Sequence, residues 1–174
     1  MKTLLLTLIV SLLTLGFPQQ AKADFEDGDV VPTSVVAPLM AWVEVQTGVR
    51  VPALPRVIAS HSRLAQVVSH MGRISGRARA LYVGGMVVLD HRSFDMEDDV
   101  QVSLLVHELV HYAQTFKPRD TWACSKGKEV EAYTLQNQWL EEHGHGPFVR
   151  TSWINRMAAC PASPASAMAV ASAN

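Results

Sequence analysis

Apolar residues are distributed along this chain in three patterns, and each predicts a different element. Residues 4–15 form an almost unbroken apolar run. Residues 33–47 and 100–116 repeat their apolar positions at helical spacing, whereas 80–83 and 86–89 are short β-rich runs on either side of Gly84-Gly85. The first run follows Met1-Lys2, is broken by Pro18 and leads into Ala21-Lys22-Ala23, with small residues at the two positions a signal peptidase inspects. That is the anatomy of a cleaved secretory leader, too short and wrongly flanked to span a membrane. The chain therefore divides into a leader (1–23), one folded domain (24–160) and a terminal stretch (161–174). That last stretch is rich in Ala, Ser and Pro, buries too little to order itself and is expected to be disordered.

Within the domain, residues 24–33 read as a loose acidic lead-in. A helix over 33–47 is capped by Thr33 or Ser34, stopped by Gly48 and carries Pro38 in its first turn. Residues 56–59 read as a strand, and Ser60 or Ser62 can cap a second helix over 63–71. That helix is flanked by His61 and His70, both expected to be exposed. Gly84-Gly85 predicts a two-residue hairpin turn. The apolar stripes of 100–116 lie on two sides (Val102, Leu105, Leu109 and Ala113; Val100, Leu104, His107 and His111), so that helix is buried on both. Acidic residues over 95–99 suit its N-terminus. Further helices are expected over 126–142, ended by Gly144, and over 152–159. The fold class is α+β: a central helix on a small sheet, with a second helix beside it.

Composition narrows the function. The 15 basic and 16 acidic residues become 13 and 16 once Lys2 and Lys22 leave with the leader. No basic stripe with interleaved aromatics is present, which argues against a nucleic-acid partner. No other stretch reaches membrane-spanning length, so a soluble secreted or periplasmic protein is expected, with a monomer as its state. Cys124 and Cys160 are the only cysteines. In an exported chain an even pair is most simply a disulfide, contributing roughly 2–4 kcal/mol.

The central helix contains His107-Glu108-Leu109-Val110-His111, which is H-E-x-x-H. Residues four apart on a helix share a face, so both imidazoles can address one ion, and zinc favours such nitrogens. Glu108, turned by about 100°, can act as a general base without ligating. A third ligand is needed, and the next helix offers Glu129 and Glu131, which are too far apart around the helix for both to serve.

With these residues the chain resembles the gluzincin branch of the zincin metallopeptidases. There, H-E-x-x-H on one helix is completed by a Glu, often in a Glu-Ala pair, on the next. The resemblance covers about residues 81–140. It implies His107, His111 and Glu131 (in Glu131-Ala132) as ligands of Zn2+. It also implies peptide hydrolysis by a zinc-activated water whose proton passes to Glu108, acting on a peptide or protein substrate. Residues 86–89 are the candidate edge strand for pairing with that substrate, and Tyr112, Tyr133, His143 or His145 could steady the oxyanion. Family members often carry an acid four residues after the ligating Glu. Counted from Glu131 that position is Leu135, which leaves Gln136 or Asn137 for the supporting role. The metzincin pattern is excluded, because Gln114 and Lys117 stand where its Gly and third His would be. The competing expectation is a zinc-holding binding or sensor module without turnover.

Overall fold

A computed structural model of the protein describes residues 25–71 and 78–159. The expected leader (1–23), residues 72–77, Cys160 and the terminal stretch lie outside the described residues. The order of elements is β1 (Asp29–Val30), α1 (Thr33–Thr47), β2 (Arg56–Ala59), α2 (His61–Met71), β3 (Ala80–Val83), β4 (Met86–Leu89), α3 (Asp99–Gln114), α4 (Ser125–Glu142) and α5 (Thr151–Ala158). The protein is α+β, and among the described residues no helix is long and apolar enough to cross a membrane.

The sheet is mixed, with strand order β1-β2-β4-β3. β2 and β4 run parallel, with β1 and β3 antiparallel on either side. Gly84 and Gly85, at φ 56° and 84°, supply the left-handed pair that a tight β3–β4 hairpin requires. Side chains alternate across a strand. Val57, Ala59, Val87 and Leu89 accordingly join the main core with α1 and α3. Ile58 and Val88, also buried, turn to the other face, where α2 packs against β4. β4 is thus covered on both faces and paired on both edges. α3 lies between this layer and α4, and α5 closes the far side of α4.

Four local expectations need correction. Residues 29–30 are not loose lead-in but a two-residue strand on β2. They are exposed and too few to show an alternating pattern. α1 takes no side-chain cap: Pro32 precedes it, and the Pro32 carbonyl accepts from Val35 and Val36. Pro38 lies in the second turn rather than the first, so the Ser34 carbonyl loses its intrahelical donor. β4, proposed as the substrate-pairing edge, is an interior strand; β3 is the edge.

The lead-in is fastened to α2 by Asp27. Its carboxylate accepts from the hydroxyls of Ser62 (2.7 Å) and Ser60 (2.9 Å), and Ser60 also caps α2 through the amide of Arg63 (3.2 Å). The Ser62 and Ser60 hydrogen bonds pull the Asp27 carboxyl down from 3.8 to about 2. A carboxylate depressed on folding stabilises the native state above its unfolded pKa, and that contribution is lost as pH falls through its folded value. Asp27→Asn is therefore expected to lose stability at neutral pH and to flatten the acid-unfolding curve between pH 3.8 and about 2. Chemical melts at stepped pH check this; curves for the two proteins that stay parallel throughout the window would refute it.

Candidate metal centre

α3 begins where Asp98 accepts from the amides of Val100 (2.8 Å) and Gln101 (3.3 Å), and Asp99 adds negative charge to its first turn. The helix is buried on nearly all sides, and His107 and Glu108 are buried with it, at 7% and 8% exposure. The one-turn spacing of the two histidines brings His107 Nε2 within 3.1 Å of His111 Nε2. From α4, Glu129 adds its carboxylate, with Oε2 at 3.5 Å from His107 Nε2 and Oε1 at 3.4 Å from His111 Nε2. Among the described residues, this is the one group of His, Cys, Asp or Glu with metal-holding geometry.

The third carboxylate is thus Glu129, not Glu131. Glu131 is engaged elsewhere: Lys117 Nζ donates to its Oε1, and Gln114 Nε2 donates to its Oε2 at 3.1 Å. The reason is the rotation of α4. Its buried residues include Ala132, Gln136, Trp139 and Leu140, a stripe at helical spacing that runs back through Glu129. Glu131 is about 200° from Glu129 around the helix and falls outside it. That stripe is the signal in the sequence that points to Glu129, whereas the Glu-Ala pairing points to Glu131.

Each imidazole is held from behind. His107 Nδ1 lies 3.1 Å from Gln136 Oε1, and Gln136 Nε2 donates to Ser103 Oγ at 3.0 Å. His111 Nδ1 lies 2.9 Å from Gln114 Oε1. Of the two supporting candidates, Gln136 reaches the site, whereas Asn137 exchanges hydrogen bonds with the backbone of Val149. Gln114 belongs to no ligand motif; in the sequence it stands out only as a departure from the metzincin pattern.

Charge follows from this geometry. Hydrogen bonds with His107 and then His111 hold the Glu129 carboxyl well below the usual range, despite its partial burial. Burial lowers the His111 pKa, but the Glu129 hydrogen bond and the Glu108 and Glu129 charges more than offset it, so the net shift is upward. Glu108 is pushed up by burial, against the pull of the two imidazoles and of the Tyr82 amide, which donates to its Oε2 at 2.7 Å. A carboxyl raised in this way takes up a proton more readily than an exposed one does.

The four candidate oxyanion donors separate clearly. Tyr112 donates to the Ala53 carbonyl. His143 stacks on Trp139, and His145 pairs with Asp99, in keeping with a helix-ending loop. Tyr133 alone lies at the site, its ring centroid 4.4 Å from that of His107. Its hydroxyl pKa is raised by burial and by the charges of Glu129 and Glu108. Counted from Glu129, it occupies the position four residues on that was assigned to Leu135. Of the flanking histidines, His70 is exposed, while His61 is half-buried against Asp90 (3.1 Å). Cys124, which precedes α4, is disulfide-bonded.

The residues fit a divalent ion. Ligand atoms about 2.0–2.1 Å from a tetrahedral centre lie roughly 3.3–3.4 Å apart; here the two imidazole nitrogens are 3.1 Å apart, and one oxygen of Glu129 lies 3.4 Å from His111 Nε2 while the other lies 3.5 Å from His107 Nε2. No curated protein and no solved structure matches the chain. The model of one family does match, over residues 29–165. By that match the chain belongs to the family described as domain of unknown function DUF6647.

Proposed function

We propose that this protein is an exported zinc-dependent peptidase of the gluzincin kind, with His107, His111 and Glu129 as ligands and Glu108 as general base. The observation that carries the reading is the convergence of two imidazole nitrogens and a carboxylate, with 3.1 Å between the nitrogens and a carboxylate oxygen within 3.5 Å of each. Next to them in the chain stands a buried carboxylate of raised pKa. Zinc bound there supplies an acidified water and a polarised carbonyl. Glu108 takes the proton at its carboxylate and returns it to the leaving amine. Tyr133, with its ring on His107, is the residue best situated to donate to the developing oxyanion.

An extended substrate pairs with the free edge of β3. Tyr82 turns its amide away from β4 towards Glu108, and its carbonyl lies on the same outward side. The disulfide at Cys124 supports an oxidising compartment, in line with the leader. The competing reading, a zinc-holding module without turnover, draws on the same Tyr82–Glu108 hydrogen bond, which occupies the general base. Two measurements decide between them: the zinc content of protein purified without an affinity tag, and cleavage of an unbiased peptide library with and without chelator. The proposal expects about one zinc per chain and chelator-sensitive cleavage. Zinc without cleavage would leave the binding module, and protein without zinc would end both readings.

A further inference from the structure

We infer that Gln114 and Gln136 are the positioning residues of this centre, each fixing its histidine in the tautomer that leaves Nε2 bare for the ion. The inference rests on the metal-centre reading above and goes beyond it by assigning the hydrogen positions. These follow from groups whose roles are unambiguous. A backbone carbonyl can only accept. Val100 O accepts from Ser103 Oγ at 2.7 Å, so the Ser103 hydroxyl proton is committed there and its oxygen must accept from Gln136. The amide of Gln136 therefore turns its NH2 to Ser103 and its Oε1 to His107. A carbonyl oxygen facing Nδ1 requires a proton on Nδ1, and the ring directs Nε2 at the ion.

The second chain runs separately to the same result. Lys128 O accepts from Gln114 Nε2 at 2.8 Å, and Glu131 Oε2 takes the other amide proton at 3.1 Å. Gln114 Oε1 is thereby turned to His111 Nδ1 at 2.9 Å. Both glutamines are buried, at 2% and 0% exposure, so water does not compete for these bonds. Two amides, one anchored on a backbone carbonyl and the other on a hydroxyl that itself donates to one, thus bring two bare nitrogens to within 3.1 Å. This juxtaposition is unfavourable unless a cation or a proton lies between them.

The partners are neutral amides rather than carboxylates. They orient the rings while adding no negative charge, which leaves Glu129 as the anionic ligand. Glu131 acts one step further out: it anchors Gln114 and is itself neutralised by Lys117.

The test compares wild type with Gln136→Leu, Gln114→Leu and Gln136→Glu. Zinc affinity is measured by chelator competition, and nitrogen-15 NMR of the histidine rings is recorded at pH 8. Each leucine variant should bind zinc about 10–100-fold more weakly. Gln136→Glu, whose carboxylate can still accept from Nδ1 once the Ser103 hydroxyl turns from Val100 O to donate to it, should lose less affinity than Gln136→Leu. In wild type, both rings should carry a proton on Nδ1, whether or not metal is bound, and the leucine variants should lose its protection from exchange. Leucine variants that bind zinc like wild type would overturn the assignment. So would a wild-type ring with bare Nδ1 and protonated Nε2, a result that stands even if a variant fails to fold. Zinc-free wild type would instead count against the metal centre, and the ring tautomers read on that protein would still decide the role of the glutamines.

Discussion

Glu108→Gln is expected to keep its zinc and to lose peptide turnover by about 10²–10⁴-fold, the usual contribution of a positioned general base. The substitution preserves shape and a carbonyl oxygen, so the Tyr82 amide (2.7 Å from Oε2 in the wild type) still finds an acceptor. It removes only the charge and the ability to hold a proton at that oxygen. The three ligand atoms belong to other residues, so zinc stoichiometry should not change. The direction of the stability change also follows. Burial raises the Glu108 pKa, so ionising this group in the folded protein opposes folding above its unfolded value. The neutral glutamine escapes that penalty, and the metal-free variant should melt no lower than metal-free wild type at neutral pH. Turnover equal to wild type would exclude Glu108 as the base. Loss of zinc at intact fold would make it a ligand.

The helices and the hairpin were legible because their signals are local. Gly48 and Gly84-Gly85 stand where left-handed backbone ends α1 and turns β3 into β4, and the double apolar stripe of α3 matches its burial on nearly every side. The order of the sheet was less legible, since β2 and β4 pair across an intervening helix and strand, and no local pattern encodes that partnership. One clue was present. Met86-Val87-Val88-Leu89 is apolar at every position, the mark of a strand covered on both faces, and such a strand makes a poor edge. The site divides along the same line. His107, Glu108 and His111 share one turn of one helix, so their spacing fixes their relation. The third carboxylate depends on how α4 is rotated against α3. Packing of Ala132, Gln136, Trp139 and Leu140 settles that rotation, and it selects Glu129. The glutamines behind the imidazoles were hardest to foresee, because a neutral amide carries no motif of its own.

The choice between the two acids of α4 gives a contrast of large expected size. Glu129→Gln should lower zinc affinity by well over the roughly 100-fold attached to a supporting residue. It removes the anionic ligand and leaves two imidazoles, one buried and one half-buried, facing each other at 3.1 Å. Glu131→Gln should keep one zinc per chain and weaken it by about tenfold or less, at or below the lower end of the range for a residue that supports a ligand. There the loss passes through Gln114, which retains its bond to Lys128 O at 2.8 Å. Thermal unfolding gives the same contrast without reference to activity. A ligand at 100 times its dissociation constant stabilises the native state by about 2.7 kcal/mol. Zinc should therefore raise the melting temperature of wild type and Glu131→Gln at a concentration where Glu129→Gln gains nothing. The opposite pattern, with Glu131→Gln blind to zinc and Glu129→Gln responsive, would mean that α4 presents its other face to α3. The ligand triangle, the two glutamine chains and the role given to Tyr133 would then fall together, because all four depend on that single rotation.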